Sequence, residues 1–134
     1  MTQIMAIEGI GPVYAEKLQK AGVSTVEELL EKGATRQGRL DLCEQSGIDH
    51  ALILRWVNHA DLYRINGLAG QYTQLLEAAG VDTVVELARR DPQNLLEKLQ
   101  AVNQEKNLVN RLPGLAQVEK WIAEAKTLPR VVTY

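Results

Sequence analysis

The stretch IEGIGPVYAEKLQKAGVSTVEEL, residues 7–29, decides the fold, because it reads as a tight turn followed by two short helices. Pro12 suits the first position of a helix, where its missing N–H costs nothing, and Tyr14, Leu18 and Ala21 fall on one helical face. Gly22 is placed to stop that helix in a left-handed cap. Ser24 or Thr25 then offers an N-cap oxygen, with Glu27 or Glu28 three residues on, and Val26, Leu29 and Leu30 form the stripe that follows.

The same pattern returns. Sliding the chain by 58 positions lays residues 7–33 on residues 65–91 with identity at 11 of 27 pairs. These include Gly9/Gly67, Tyr14/Tyr72, Leu18/Leu76, Gly22/Gly80, Thr25/Thr83, Glu28/Glu86 and Leu29/Leu87. The matches fall on turn glycines and helix-spaced apolar positions, which marks a duplication. At a shift of 65, Ile53, Trp56, Val57 and Ala60 match Val118, Trp121, Ile122 and Ala125, the i, i+3, i+4, i+7 face of a helix. The two shifts differ by seven residues, so an insertion of that length falls near QAVNQEKNLVN, residues 100–110. One helix is expected over roughly 35–46, and another from an Asp49 cap to about Arg64, leading into the second copy without a flexible linker. The boundaries are therefore 1–64, 65–128 and a tail, 129–134. The tail's RVVTY is too short to assign: it is either disordered or able to add to a partner's sheet edge.

Composition narrows the function. The 134 residues carry 15 Lys+Arg against 17 Asp+Glu, with a pI of about 5.7, and the two copies hardly differ, so no basic bias points to nucleic acid. The single Cys43 permits no intramolecular disulfide and reads as a small core residue in a reducing, cytoplasmic setting. No run approaches a membrane span, and the N-terminus lacks the pattern of a signal peptide. His50 and His59 are nine apart, without the spacing or companions of a metal site. No nucleophile–base arrangement, phosphate loop or dinucleotide fingerprint is present, so neither cofactor nor small-molecule substrate is expected and the chain reads as a non-enzyme. Trp56 and Trp121 read as core anchors, and Tyr14 and Tyr72 as packing residues rather than base-stacking platforms.

Ile7, Gly9, Ile10, Gly11 and Ala15 follow the order hydrophobic, any, glycine, hydrophobic, glycine, then a small residue four on. This resembles the helix-hairpin-helix superfamily. Across nearly the whole chain, IEGIGPVYAEKL, AGVSTVEELL, LRWVNHADLYRI, LLEAAGVDTVVELARRDPQNLLEKL and VEKWIAEAK resemble the tandem-hairpin family known as domain of unknown function 4332. The resemblance implies an all-α fold of duplicated helix-hairpin-helix units, SAM-like tandem hairpins, forming one compact pseudo-symmetric body. It also implies two turns whose amides face phosphates, as DNA-binding members of the superfamily use them. The positions are Gly9, Ile10, Gly11 and Val13 in the first turn and Gly67, Leu68, Ala69 and Gly70 in the second, with Lys17, Arg36, Arg39 and Arg64 as supporting cations.

Two uses of the turns stay open. Glycine turns make tight interhelical corners whatever they bind, and Val13 stands where a cation would help a phosphate, with acidic Glu8 inside the turn. The second turn becomes Gly67-Leu68-Ala69-Gly70-Gln71, with its second glycine displaced. These departures favour a protein-interaction or scaffold module with an unidentified protein partner. The intact Gly9-Ile10-Gly11 favours sequence-independent nucleic-acid binding through the amides.

Overall fold

The computed structural model describes residues 2–68 and 70–134; Ala69, one of the candidate second-turn positions, lies outside the described residues. The regular elements among them are helices, and the strand-like feature is one isolated bridge between Gln3 and Thr25. The chain divides into two compact units, one of residues 2–61 with Val131–Tyr134 and the other Leu62–Arg130.

The first unit opens with a 3-10 turn, Ile4–Ala6, where the expected hairpin needs a helix, followed by α1 (Pro12–Lys20), α2 (Val26–Gly33), α3 (Arg36–Ser46) and α4 (His50–Leu62). Residues ahead of the turn lie along the entry to α2: Ile4 N–H donates to Ser24 O at 3.1 Å and Val26 N–H to Thr2 O at 2.9 Å. The cap of α2 is Thr25, whose Oγ1 accepts from Glu28 N–H at 3.1 Å, while the Glu28 carboxylate accepts from Ser24 N–H at the same distance. That resolves the Ser24/Thr25 choice in favour of the residue whose backbone is extended and whose side chain reaches the third amide. Leu18, Val23, Leu29, Ile53, Trp56 and Val57 are closed off from solvent. Gly33 permits the approach of α2 to α4, because a Cβ there would collide with Val57 Cγ2.

The second unit contains α5 (Gln71–Ala78), α6 (Val84–Ala88), α7 (Pro92–Lys106) and α8 (Leu115–Thr127). Thr83 Oγ1 accepts from Glu86 N–H at 3.3 Å at the start of α6, and Asp91 Oδ2 accepts from Asn94 N–H at 3.0 Å at the start of α7. The seven residues by which the two sequence shifts differ are divided between a helix and a loop. α7 ends two residues past the position matching Ser46, and loop 107–114 is five residues longer than loop 47–49. Asn107 closes α7 in the left-handed region (φ 50°), as Gly47 closes α3 (φ 72°). Asn103 secures the longer loop, accepting from Val109 N–H at 3.0 Å and donating to Val109 O at 3.1 Å. Leu75, Leu76, Leu87, Leu99, Trp121 and Ile122 lie in the core of this unit.

The structure corrects the reading of Cys43 and fixes two points that the sequence leaves open. The helix from Asp49 ends at Leu62, two residues before Arg64. Cys43 is half-buried instead of being a core residue, and burial raises its thiol pKa, with Asp49 adding to the effect. The tail is ordered on the first unit: Val132 is 3% exposed, and Thr133 N–H donates to Ala34 O at 2.8 Å.

Candidate functional site

The first turn is built around Gly9. Its φ of +95° lies where an L side chain is strained, and a Cβ would sit 3.3 Å from Trp56 Nε1, tighter than ordinary van der Waals contact. Ile7 and Ile10 point inward, 1% and 4% exposed, and Ile10 N–H donates to Ile7 O at 3.1 Å, which closes the turn. Tyr14 leans edge-on against Trp56, with ring centroids 5.1 Å apart and planes at 64°, so it packs on the buried tryptophan.

Gly11 is the N-cap of α1 and has no side chain to satisfy the helix start. Among the described residues, no acceptor meets the amides of Gly11, Val13 or Tyr14; Pro12 has no N–H, and the ladder begins with Ala15 N–H to Gly11 O at 2.9 Å. Two neighbours of these donors in the sequence are exposed, Val13 at 67% and acidic Glu8. Lys17 is exposed one turn along α1, its Nζ 5.8 Å from the Tyr14 ring centroid.

The second turn differs at the position that matters. Gly67 has φ +77° and Leu68 is buried, as Gly9 and Ile10 would lead one to expect, but α5 starts after Gly70. The Gly70 amide is not open, because it donates to the Tyr63 hydroxyl at 3.0 Å, while Asn66 N–H donates to Glu124 Oε1 at 3.1 Å. Thr73 Oγ1 donates back to Gly70 O at 2.6 Å. Tyr72 packs on Trp121 at 5.5 Å between centroids and spends its hydroxyl on Arg111 O at 3.0 Å. The second turn is therefore closed by its own side chains at an amide that an anion would need.

Two of the four supporting cations bond to backbone carbonyls of their own unit. Arg39 is 2% exposed, with Nη1 donating to Gly33 O at 2.8 Å and Ala34 O at 3.2 Å, and Nη2 donating to Thr133 O at 2.7 Å. It caps the C-terminal end of α2, where unpaired carbonyls and the negative end of the dipole attract a guanidinium. Burial lowers the pKa of Arg39, Tyr134 raises it and Arg36 lowers it further, so the net direction is downward. Arg64 Nη1 donates to Pro129 O at 3.0 Å. Arg90, at the place matching Lys32, donates to Gly80 O at 3.1 Å, and Lys32 donates to Gly22 O at 3.0 Å. Lys17 and Arg36 remain exposed.

Sequence reasoning missed Tyr63, because it lies with Gly70 in the connection between α4 and α5, where no helical period sets the direction of its hydroxyl. It missed the inward turn of Arg39 although a signal existed: Arg39 lies three residues before Leu42, on the one buried face of α3.

Gly11 and Gly9 respond differently to a side chain. A Cβ on Gly11 meets no atom within 4 Å and its φ is −90°, which any residue adopts. Gly11→Ala should change stability by less than about 1 kcal/mol, whereas Gly9→Ala should cost about 1–2 kcal/mol from its backbone conformation alone. Urea denaturation followed by circular dichroism checks the pair.

No group of His, Cys, Asp and Glu able to hold a metal occurs among the described residues, and no described helix is long and apolar enough to cross a membrane. The model of a family described as a domain of unknown function (DUF4332) matches residues 8–128. Neither a curated protein nor a solved structure matches the chain.

Proposed function

The chain belongs to the DUF4332 family, whose description names no activity, and we propose that it is a non-catalytic module of duplicated helix-hairpin-helix units that binds a protein partner. The duplication is supported by contacts that recur at matching positions: Tyr14 on Trp56 and Tyr72 on Trp121, the Thr25 and Thr83 caps, and Lys32 and Arg90 on the carbonyls of Gly22 and Gly80. The observation that carries the protein-binding reading is the make-up of the first turn. Free donors at Gly11, Val13 and Tyr14 stand beside an exposed valine and an exposed glutamate. A phosphodiester backbone, with one charge per phosphate, calls for cations that this surface does not gather. A partner offering a neutral carbonyl and an apolar side chain satisfies both the amides and Val13.

Nucleic-acid binding is the second reading, favoured by the open amides of α1 and by exposed Lys17. A photo-crosslinking amino acid placed at Val13 in the full chain, activated in cells that make the protein, distinguishes the two. A protease-sensitive adduct that Gly11→Glu abolishes is the expected result. A nuclease-sensitive adduct, or none, contradicts the protein-binding reading.

A further inference from the structure

Residues Val131–Tyr134 follow helix α8 of the second unit, yet they belong to the first. They are held there as an extended ligand is held. Thr133 uses both backbone groups, its N–H donating to Ala34 O at 2.8 Å and its carbonyl accepting from Arg39 Nη2 at 2.7 Å. Val132 is 3% exposed, while Thr133 is exposed. The Tyr134 ring lies under the Arg39 guanidinium, 5.5 Å from Cζ to centroid, and its hydroxyl donates to Asn58 Oδ1 at 3.1 Å. The receiving groups come from the end of α2, from α3 and from α4, all in the first unit.

Among the described residues, the second unit has no counterpart of these groups at the matching positions. The position matching Arg39 is Glu97, which is exposed, and the position matching Ala34 is Pro92, the first residue of α7 after the Asp91 cap. The receptor groups are therefore a feature of the first copy and not a by-product of the repeated fold. The gripped segment contributes one buried side chain and a pair of backbone bonds, a small enough contact to open far more easily than the core around it.

We propose that this surface is a peptide-recognition site for an extended segment with a β-branched apolar residue at the Val132 position and an aromatic two residues later, and that the chain's own tail occupies it and competes with a partner's segment. The division of labour is that of peptide grooves generally: backbone bonds at the middle residue supply affinity without reading its side chain, and the flanking positions supply selection. Covalent attachment gives the tail a high effective concentration, so an outside peptide is excluded until the tail is weakened. None of the contributing residues belongs to the first turn, so the inference stands or falls separately from the reading of Gly11 and Val13.

The test uses the full chain and a labelled synthetic peptide, LPRVVTY, with the sequence of residues 128–134. Val132→Asp in the chain should raise its affinity for the peptide at least 10-fold over wild type, and adding Arg39→Lys, which cannot form the fork, should remove that gain. Thr133→Pro, at an exposed residue, withdraws the donor to Ala34 without touching the buried valine and should give a gain in the same direction, whether or not Val132→Asp folds. Affinity no higher in Thr133→Pro than in wild type overturns the proposal, as does a gain that survives Arg39→Lys.

Discussion

Replacing Trp56 with alanine should destabilise the first unit by about 3–5 kcal/mol, the range for deleting a large buried aromatic. Trp56 is 1% exposed and carries three roles at once: it fills the centre of the unit, it supports Tyr14 at 5.1 Å, and its indole edge faces Gly9 at the corner of the first turn. The loss is comparable to the whole stability of a small domain, so the first turn should lose its geometry together with the core. The chain has two tryptophans, one in each unit, which makes the measurement direct. In a Trp121→Phe background, Trp56 emission follows the first unit through urea denaturation. Circular dichroism then compares that transition with the one remaining after Trp56→Ala. An unchanged midpoint would show that Trp56 does not anchor the unit.

Arg39→Met should cost about 2–4 kcal/mol, although arginine is ordinarily a surface residue. Hydrogen bonds from a charged donor contribute about 1.5–3 kcal/mol, and leaving a buried acceptor unpaired costs about 1–3 kcal/mol. Ala34 O keeps the Thr133 amide after the substitution, and Thr133 is exposed to water, so the principal loss is at Gly33 O, inside the corner between α2 and α3. Methionine fills most of the stem's volume, which separates the missing hydrogen bonds from a simple cavity. Arg39→Lys should fall between, since an ammonium cannot serve carbonyls on two segments with a fixed fork. Urea midpoints for the three chains check the order, and hydrogen exchange at the Thr133 amide should speed up in the same sequence. A Met variant as stable as wild type would mean that the burial of Arg39 costs as much as its bonds return.

Much of the fold is legible in the sequence, and the legible parts are local. The helix starts at Thr25 and Thr83 follow from side-chain oxygens placed three residues before an amide that needs them. Gly22 and Gly80 sit at φ +87° and +90°, the stops that their positions after two apolar faces imply. The tryptophans were readable because they recur on one helical face.

What was not readable depends on residues far apart along the chain. Nothing in RVVTY announces that Thr133 will pair with Ala34, ninety-nine residues away. Tyr63 closes the Gly70 amide through a hydroxyl whose direction depends on the end of α4. Arg39 reads as a supporting cation because charge is counted by residue type, whereas its guanidinium turns inward to the carbonyls of Gly33, Ala34 and Thr133, the last of them far along the chain. The candidate site was legible as a pair of glycine turns and only half legible as chemistry, since the turn types do not say that the Gly11 amide is open while the Gly70 amide is closed by Tyr63.

The central claim is that these turns are corners of the fold, one of them open to a protein partner, and not a pair of phosphate clamps. It is tested most directly by titrating a fluorescent DNA duplex and a single strand at low salt, against wild type and Gly11→Glu, a site where a side chain meets nothing within 4 Å. Binding no tighter than about millimolar, unchanged by the substitution, is the expected result; non-specific binders of nucleic acid reach about 10⁻⁴–10⁻⁶ M even at physiological salt. A complex that weakens steeply with salt and disappears in Gly11→Glu would contradict it.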